Sequence, residues 1–217
     1  MAHEIVLLDG CKDFAPGKVL AGVLDHMASI VGTIHADKTA GQLDMEGYNV
    51  VRDLVRRSFD SHRGQIQIEA LVGVLDYNSL VQSKPKEARF IVLVPEDLYA
   101  LNGGHPTNWV HGAYFSKTSN SKDVVVISTA RFYTNGKFDP IHFRHVMAHE
   151  LGHMFGATKK GRRNTYELLG PHCSNDCIMR QDVDVGSGKD RAHDMHRKGT
   201  TFCNDCRREM IKLHRPR

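Results

Sequence analysis

The 217-residue chain contains the stretch RHVMAHELGHMFGATKKGRRN (Arg144–Asn164), in which His149 and His153 bracket Glu150. On a helix, residues four apart share a face one turn above the other, so the two imidazoles can meet on one metal ion. Zinc takes such nitrogens at about 2.0–2.1 Å. Glu150 falls at the rim of that face, placed to take a proton from a metal-activated water rather than to bind the metal. The chemistry this spacing serves is hydrolysis. Gly156 follows His153 by three residues, where the chain can turn back, but the position three further on holds Lys159. A third ligand must come from elsewhere.

Four of the five cysteines crowd near the C-terminus: Cys173 and Cys177, then Cys203 and Cys206, while Cys11 stands alone. A CxxxC and a CxxC separated by 25 residues are within the ligand spacing of a four-thiolate structural zinc. Such a site carries net negative charge, and Arg180, Arg207 and Arg208 lie beside it in sequence, where they are expected to offset it. His172 directly precedes Cys173.

The elements that must position these residues can be read from pattern. Asp139 fits an N-cap with Pro140 at the first helical position, and Gly156 fits the helix end. Phe143, Met147, Leu151 and Met154 form the core-facing stripe of that helix, opposite its ligands. His145 shares the ligand face but lies a full turn, about 6 Å, before His149. It and His142 read as packing or supporting residues.

Upstream, Ile5–Gly10 and Phe90–Val94 read as buried strands. Gly17–Ile34 carries a helical stripe of Val19, Leu20, Val23, Leu24 and Met27, and Tyr48–Phe59 a second helix. In Gly64–Val81, Ile68, Leu71, Val72 and Leu75 share a helical face, while the first residues alternate and permit a strand start. His111–Ser116 and Asp123–Tyr133 are strands around a polar turn, 117–122, and His35–Gly47 is a loop. After Gly156 the chain is polar, basic and cysteine-rich, without apolar periodicity until CRREMIKL. The expectation is an α/β (α+β) fold. Residues 1–156 form its larger part, and 157–217 a small, irregular C-terminal part too poor in apolar bulk to stand without a metal staple.

Charge and composition narrow the function classes. Lys plus Arg number 29 against 25 Asp plus Glu, an excess too small to call for nucleic acid despite the basic tail. The N-terminus MAHEIVLLDGCKD lacks the basic start of a signal peptide, and no apolar run reaches the roughly 18 residues that span a bilayer. A monomeric cytoplasmic protein with no membrane partner is expected.

HELGH, a glycine three residues on, a His-Cys pair, a second Cys followed by x-Met and then a CxxC: this order resembles the archaemetzincins, zinc peptidases of the metzincin clan. The resemblance runs from about Ile127 to Cys206, and more loosely through LVPEDLYA and VHGAYFS upstream. It implies a mixed twisted sheet with an active-site helix, a peptide substrate and two zinc ions. His149, His153 and His172 would hold the catalytic zinc, with Glu150 as general base. Met179 would form a methionine turn beneath the metal. Cys173, Cys177, Cys203 and Cys206 would hold the structural zinc. Strand 111–116, with Gly112, Ala113 and Tyr114, would be the sheet edge that pairs with an extended substrate.

Two departures stand out. Fifteen residues, Ala157 to Pro171, separate Gly156 from His172 where the family has two, and the first cysteine pair has three intervening residues instead of four. Glu167 and Asp176 compete as third ligands, with His193 and His196 further along, but Glu167 lies only fourteen residues past His153 and leaves little chain for a second helix to return. His172 is favoured because a thiolate site at Cys173 would pin its backbone. Lengthening the loop before a pinned residue then costs little, since closure entropy grows only logarithmically. The insertion becomes a basic flap at the cleft edge. A non-catalytic zinc-binding module with a degenerate HExxH is the alternative reading, with nucleic acid or a protein as its partner.

Overall fold

The computed structural model describes residues 3–13, 15–36, 45–116, 118, 122–167, 170–182 and 184–214. The middle of the expected His35–Gly47 loop, most of the polar turn 117–122 and two residues of the insertion, 168–169, lie outside the described residues. Strand β1 (His3–Asp9) is followed by α1 (Ala15–Val31), β2 (Ile34–Ala36) and α2 (Met45–Ser58). A small hairpin of β3 (Phe59–Asp60) and β4 (Gln65–Gln67) leads to α3 (Ile68–Asp76) and the short α4 (Ser79–Ser83). Next come β5 (Arg89–Val94), β6 (Leu98–Tyr99), and a hairpin of β7 (Leu101–Asn102) and β8 (His105–Pro106). Strands β9 (Gly112–Phe115) and β10 (Asp123–Ser128) precede a second small hairpin, β11 (Tyr133–Thr134) and β12 (Lys137–Phe138). It feeds α5 (Pro140–Met154), and the chain ends with β13 (Thr165–Glu167), β14 (Pro171–Cys173), α6 (Val185–Lys198) and α7 (Asn204–His214).

The central sheet has the order β2-β1-β5-β10-β9. Its first four strands are parallel, and β9 runs antiparallel to β10 at one edge, with Ile127 opposite Gly112 and Val124 opposite Phe115. Both faces are covered, so the strands read as continuous apolar runs. Alternation sorts them into two cores. Ile5, Leu7, Ile91, Leu93, Val125 and Ile127 pack with α1 and α5, and Val6, Leu8, Phe90, Val92, Val124 and Val126 pack with α2 and α3. The architecture is the mixed α/β sheet, packed on the helix that carries the HExxH residues, that the sequence leads one to expect.

The first core does not stop at the end of α5. Cys173, Cys177, Ile178, Met179, Met195, Phe202, Cys206 and Met210 belong to it, so residues on both sides of position 156 share one hydrophobic interior. The C-terminal part is also less irregular than its composition predicts. Helix α6 escapes pattern reading because, of its buried positions Gly188, Ala192 and Met195, only the methionine is a large apolar residue and one residue makes no stripe. Its ends carry ordinary caps, with Asp184 Oδ1 accepting from Ser187 N–H at 2.8 Å and Gly199 left-handed at φ 63°.

Two other boundaries differ from expectation and a third settles an open reading. The first helix ends at Val31, and Ile34 already belongs to β2, paired with His3 of β1. Gln65–Gln67 forms a strand and Ile68 starts the helix, so both readings of that segment hold, each over part of it. Strand β10 ends at Ser128, whose hydroxyl donates to Glu96 C=O and accepts from Ala130 N–H, tightening the chain into a single 3₁₀ turn over Ala130–Phe132. Among the described residues no helix is long and apolar enough to cross a membrane.

Helix α5 begins where the sequence places it. Asp139 Oδ1 accepts from Ile141 and His142 N–H at 3.2 and 3.0 Å, and Pro140 opens the first turn. The same carboxylate receives His193 Nε2 of α6 at 2.9 Å and Lys189 Nζ at 3.5 Å, so one side chain caps α5 and fastens α6 across it. Asp139→Ala is expected to cost about 1–2 kcal/mol and to lower the melting temperature by roughly 3–6 °C in a calorimetric scan.

Candidate metal centres

Helix α5 presents its polar face to a cleft of about 670 Å³, walled on the other side by β9 from Gly112 to Phe115. His149, Glu150 and His153 line it, together with Pro171 and His172 of β14. The three imidazoles converge: His153 Nε2 lies 3.1 Å from His149 Nε2 and 3.3 Å from His172 Nε2. Tetrahedral coordination at the zinc–nitrogen distance requires nitrogens about 3.3 Å apart, so the spacing matches a metal site.

Each imidazole is held by its other nitrogen. His149 Nδ1 meets the carbonyl of Ile178 at 2.8 Å, and His172 Nδ1 that of Gly170 at 3.0 Å. A carbonyl only accepts, so in the neutral tautomers both rings carry their proton on Nδ1 and turn an Nε2 lone pair inward. His153 Nδ1 is paired with Thr158 Oγ1 at 3.1 Å. Burial, and then the neighbouring imidazoles, push His149 well below its ordinary value, and burial takes His153 to about 3. His149 and His172 turn their Nε2 lone pairs inward, and a cation among the three rings would take both lone pairs together with that of His153. The donor set therefore fits a metal ion, and among the described residues His149, His153 and His172 form such a group.

Glu150 is 8% exposed, and burial raises its carboxyl to about 8. A cation held by the three imidazoles would draw that value down. His142 and His145 are buried too, 2% and 8% exposed, and stand outside the three-histidine group. His142 packs edge-on against Phe132 and His111, and burial lowers both His142 and His145 to about 4.

The competing third ligands are elsewhere. Glu167 is exposed on β13 opposite Pro171, and Asp176 is exposed, 3.7 Å from Arg191. His193 is paired with Asp139, His196 is exposed on α6, and Lys159 is exposed in the loop after α5. The insertion before His172 is a hairpin rather than a loose flap: β13 pairs with β14, setting Tyr166 opposite His172 and Thr165 opposite Cys173.

The second cluster lies just behind. Cys173, Cys177, Cys203 and Cys206 bring four sulfurs together, with Cys173 and Cys203 Sγ 3.8 Å apart and Cys177 and Cys206 Sγ 3.7 Å apart. Tetrahedral thiolates at the zinc–sulfur distance stand about 3.8 Å apart. The Cys206 thiol, 3.7 Å away, and the backbone N–H of Cys203 hold Cys177 below the ordinary thiol range, favouring a thiolate there. The arginine at the sulfurs is not one of those expected. Arg180, Arg207 and Arg208 are exposed, whereas Arg162 of the insertion reaches Cys173 and Cys206 Sγ at 3.2 and 3.4 Å. Its partners are 11 and 44 residues away in sequence, a pairing that no local spacing announces.

Met179 is fully buried beneath α5. A Cβ on Gly152 would collide with Met179 Sδ and come within 2.8 Å of the Phe202 ring. The glycine of HELGH thus makes room for this side chain, outweighing the helix propensity it forfeits. Gly156, at φ 78°, takes the left-handed conformation that turns the chain back after the helix, with Ala157 N–H returning to Gly152 C=O at 2.8 Å. At the opposite wall, Gly112, Ala113 and Tyr114 form the edge of the sheet, bonded to β10 on one side.

No protein-family profile matches the chain, and neither does any curated protein. Solved structures do. The crystal structure of an archaemetzincin from Methanopyrus kandleri is similar with a TM-score of 0.61 and 22% identity, over 98% of this chain and 94% of that one. A zinc-dependent peptidase from Methanocorpusculum labreanum is similar with a TM-score of 0.57 and 18% identity, over 95% and 99%. The chain has the fold of these proteins from end to end.

Gly152→Ala is expected to force Met179 and Phe202 apart and to destabilise the protein by about 1–3 kcal/mol in denaturant unfolding, despite alanine's higher helix propensity. A neutral or stabilising result would show that the two side chains yield without cost.

Proposed function

We propose that this protein is a zinc-dependent peptidase of the archaemetzincin type, with a catalytic zinc on His149, His153 and His172 and a structural zinc on the four cysteines. The observation that carries the reading is the approach of His149 and His172 Nε2 to 3.1 and 3.3 Å from His153 Nε2, both on rings whose Nδ1 is committed to a carbonyl. The fold shared with an archaemetzincin and a zinc-dependent peptidase supports it.

Zinc in this site supplies Lewis acidity and brings the pKa of a coordinated water toward 7. The remaining steps fall to the chain's own residues. An extended peptide adds to the free side of β9, along Gly112, Ala113 and Tyr114, which lays its backbone beside α5. Glu150, next to His149 on the cleft wall, accepts the proton of the attacking water and returns it to the leaving amine. Its burial keeps water competition low and lets it hold a proton between the two transfers. The carbonyls of Ile178 and Gly170 fix orientation and tautomer of His149 and His172, and Thr158 fixes the orientation of His153, the usual support for metal-binding histidines. Met179 fills the floor under Gly152.

Elemental analysis is expected to find two zinc ions per chain in the wild type and one in His172→Ala, with the variant still folded. One zinc in both proteins would remove His172 from the site and favour a non-catalytic zinc-binding module. Glu150→Gln is expected to keep both metals while cleavage of a mixed peptide pool falls roughly 10²–10⁴-fold. Unchanged cleavage would take the general-base role from Glu150.

A further inference from the structure

We infer that Arg162, in the insertion that separates α5 from the third histidine, is a positioning residue that clamps His172 into the metal site by tying its hairpin to the thiol cluster. The inference rests on the metal reading of the two clusters and adds a residue to it.

The guanidinium reaches in three directions. Nη2 donates to Cys173 Sγ at 3.2 Å and Cys206 Sγ at 3.4 Å, while Nη1 donates to Glu209 Oε2 of α7 at 2.7 Å and, more weakly, to Ala157 C=O at 3.4 Å. The ion pair with Glu209 is sheltered, its side chains 13% and 17% exposed. Such a charged fork on thiolates and a carboxylate is stronger than a neutral contact and fixes direction as well as distance.

The main chain of Arg162 carries that fixity onward. Its carbonyl accepts from both the N–H and the hydroxyl of Thr165, at 3.1 and 2.6 Å, which starts β13. Strand β13 pairs with β14, and Tyr166 stands opposite His172. Asn164 adds two ties, its C=O accepting from Ser174 N–H at 3.0 Å and its Nδ2 donating to Asp205 at 2.8 Å. A chain of contacts therefore runs from α7 and the sulfurs through Arg162 to the third imidazole. The insertion moves the ligand far from the helix that carries the other two, and this clamp returns it to within 3.3 Å of His153.

Cobalt(II) titration of metal-stripped full-length protein separates the two sites, because only the cysteine site gives thiolate-to-cobalt charge-transfer absorption. Arg162→Gln is expected to leave the cysteine site occupied, weakened only slightly by loss of the contact to its sulfurs, while the histidine site weakens more, by roughly 10–100-fold, as its third ligand loses its support. Glu209→Gln, which does not touch the sulfurs, should weaken the same site by less, and the double variant should be no worse than Arg162→Gln. Histidine-site affinity within about twofold of wild type in both single variants, or equal weakening of both sites, would overturn the clamp. If the wild type takes no cobalt at the histidines, the metal reading fails. Amide exchange across residues 165–173 then decides: faster exchange in Arg162→Gln upholds the clamp, and unchanged exchange overturns it.

Discussion

Successive side chains of a β-strand face opposite ways, and in β14 that alternation sends His172 toward one metal-type cluster and Cys173 toward the other. The two clusters are therefore one mechanical unit. The third imidazole takes its place from its neighbour, whose sulfur sits among three others and whose N–H binds Met179 C=O at 2.8 Å. With that anchor fixed, the length of chain between α5 and His172 matters little, since a longer loop adds only a logarithmic entropy cost.

The same segment reaches back to the helix. Ile178 C=O holds His149, and Met179 occupies the hollow left by Gly152 one turn along α5. Cys177 accepts from Cys203 N–H, drawing the loop before α7 into the same knot. Residues 172–179 thus supply one imidazole, two thiols, one orienting carbonyl and the floor of the site. Each group is buried, and a buried polar group left without a partner costs more than the bond it lacks, so the arrangement is strongly all-or-none.

Electrostatics point the same way. The cleft holds neutral histidines and a carboxyl raised by burial, a combination in which charge is scarce and any bound cation would dominate the local field. Behind it, the one guanidinium at the sulfurs among the described contacts comes from the insertion rather than from the arginines adjacent to the cysteines. The insertion has thereby become part of the scaffold. Its basic character looked like a surface feature, yet one of its charges is sheltered and paired.

The residue types and spacings alone determined the capped helix over 140–154, the buried strands β1 and β5, the HExxH pair with its glutamate and the four cysteines as a group. These are local: a cap, a period of two or 3.6 residues, or a short ligand spacing is written into neighbouring residues. Helix α6 was not legible, because a helix that buries a glycine, an alanine and a single methionine has no apolar stripe to see. Nor were Thr158, Arg162, the Ile178 carbonyl or the reason for Gly152. Only the tertiary structure decided those. A contact between residues 44 apart, or a hollow beneath a glycine, depends on how separate elements pack, and no periodicity along the chain encodes it. Which of His172 and Glu167 stands beside the two helix histidines was of this kind: sequence could argue for a pinned histidine, but only the folded chain sets the His172 ring 3.3 Å from His153.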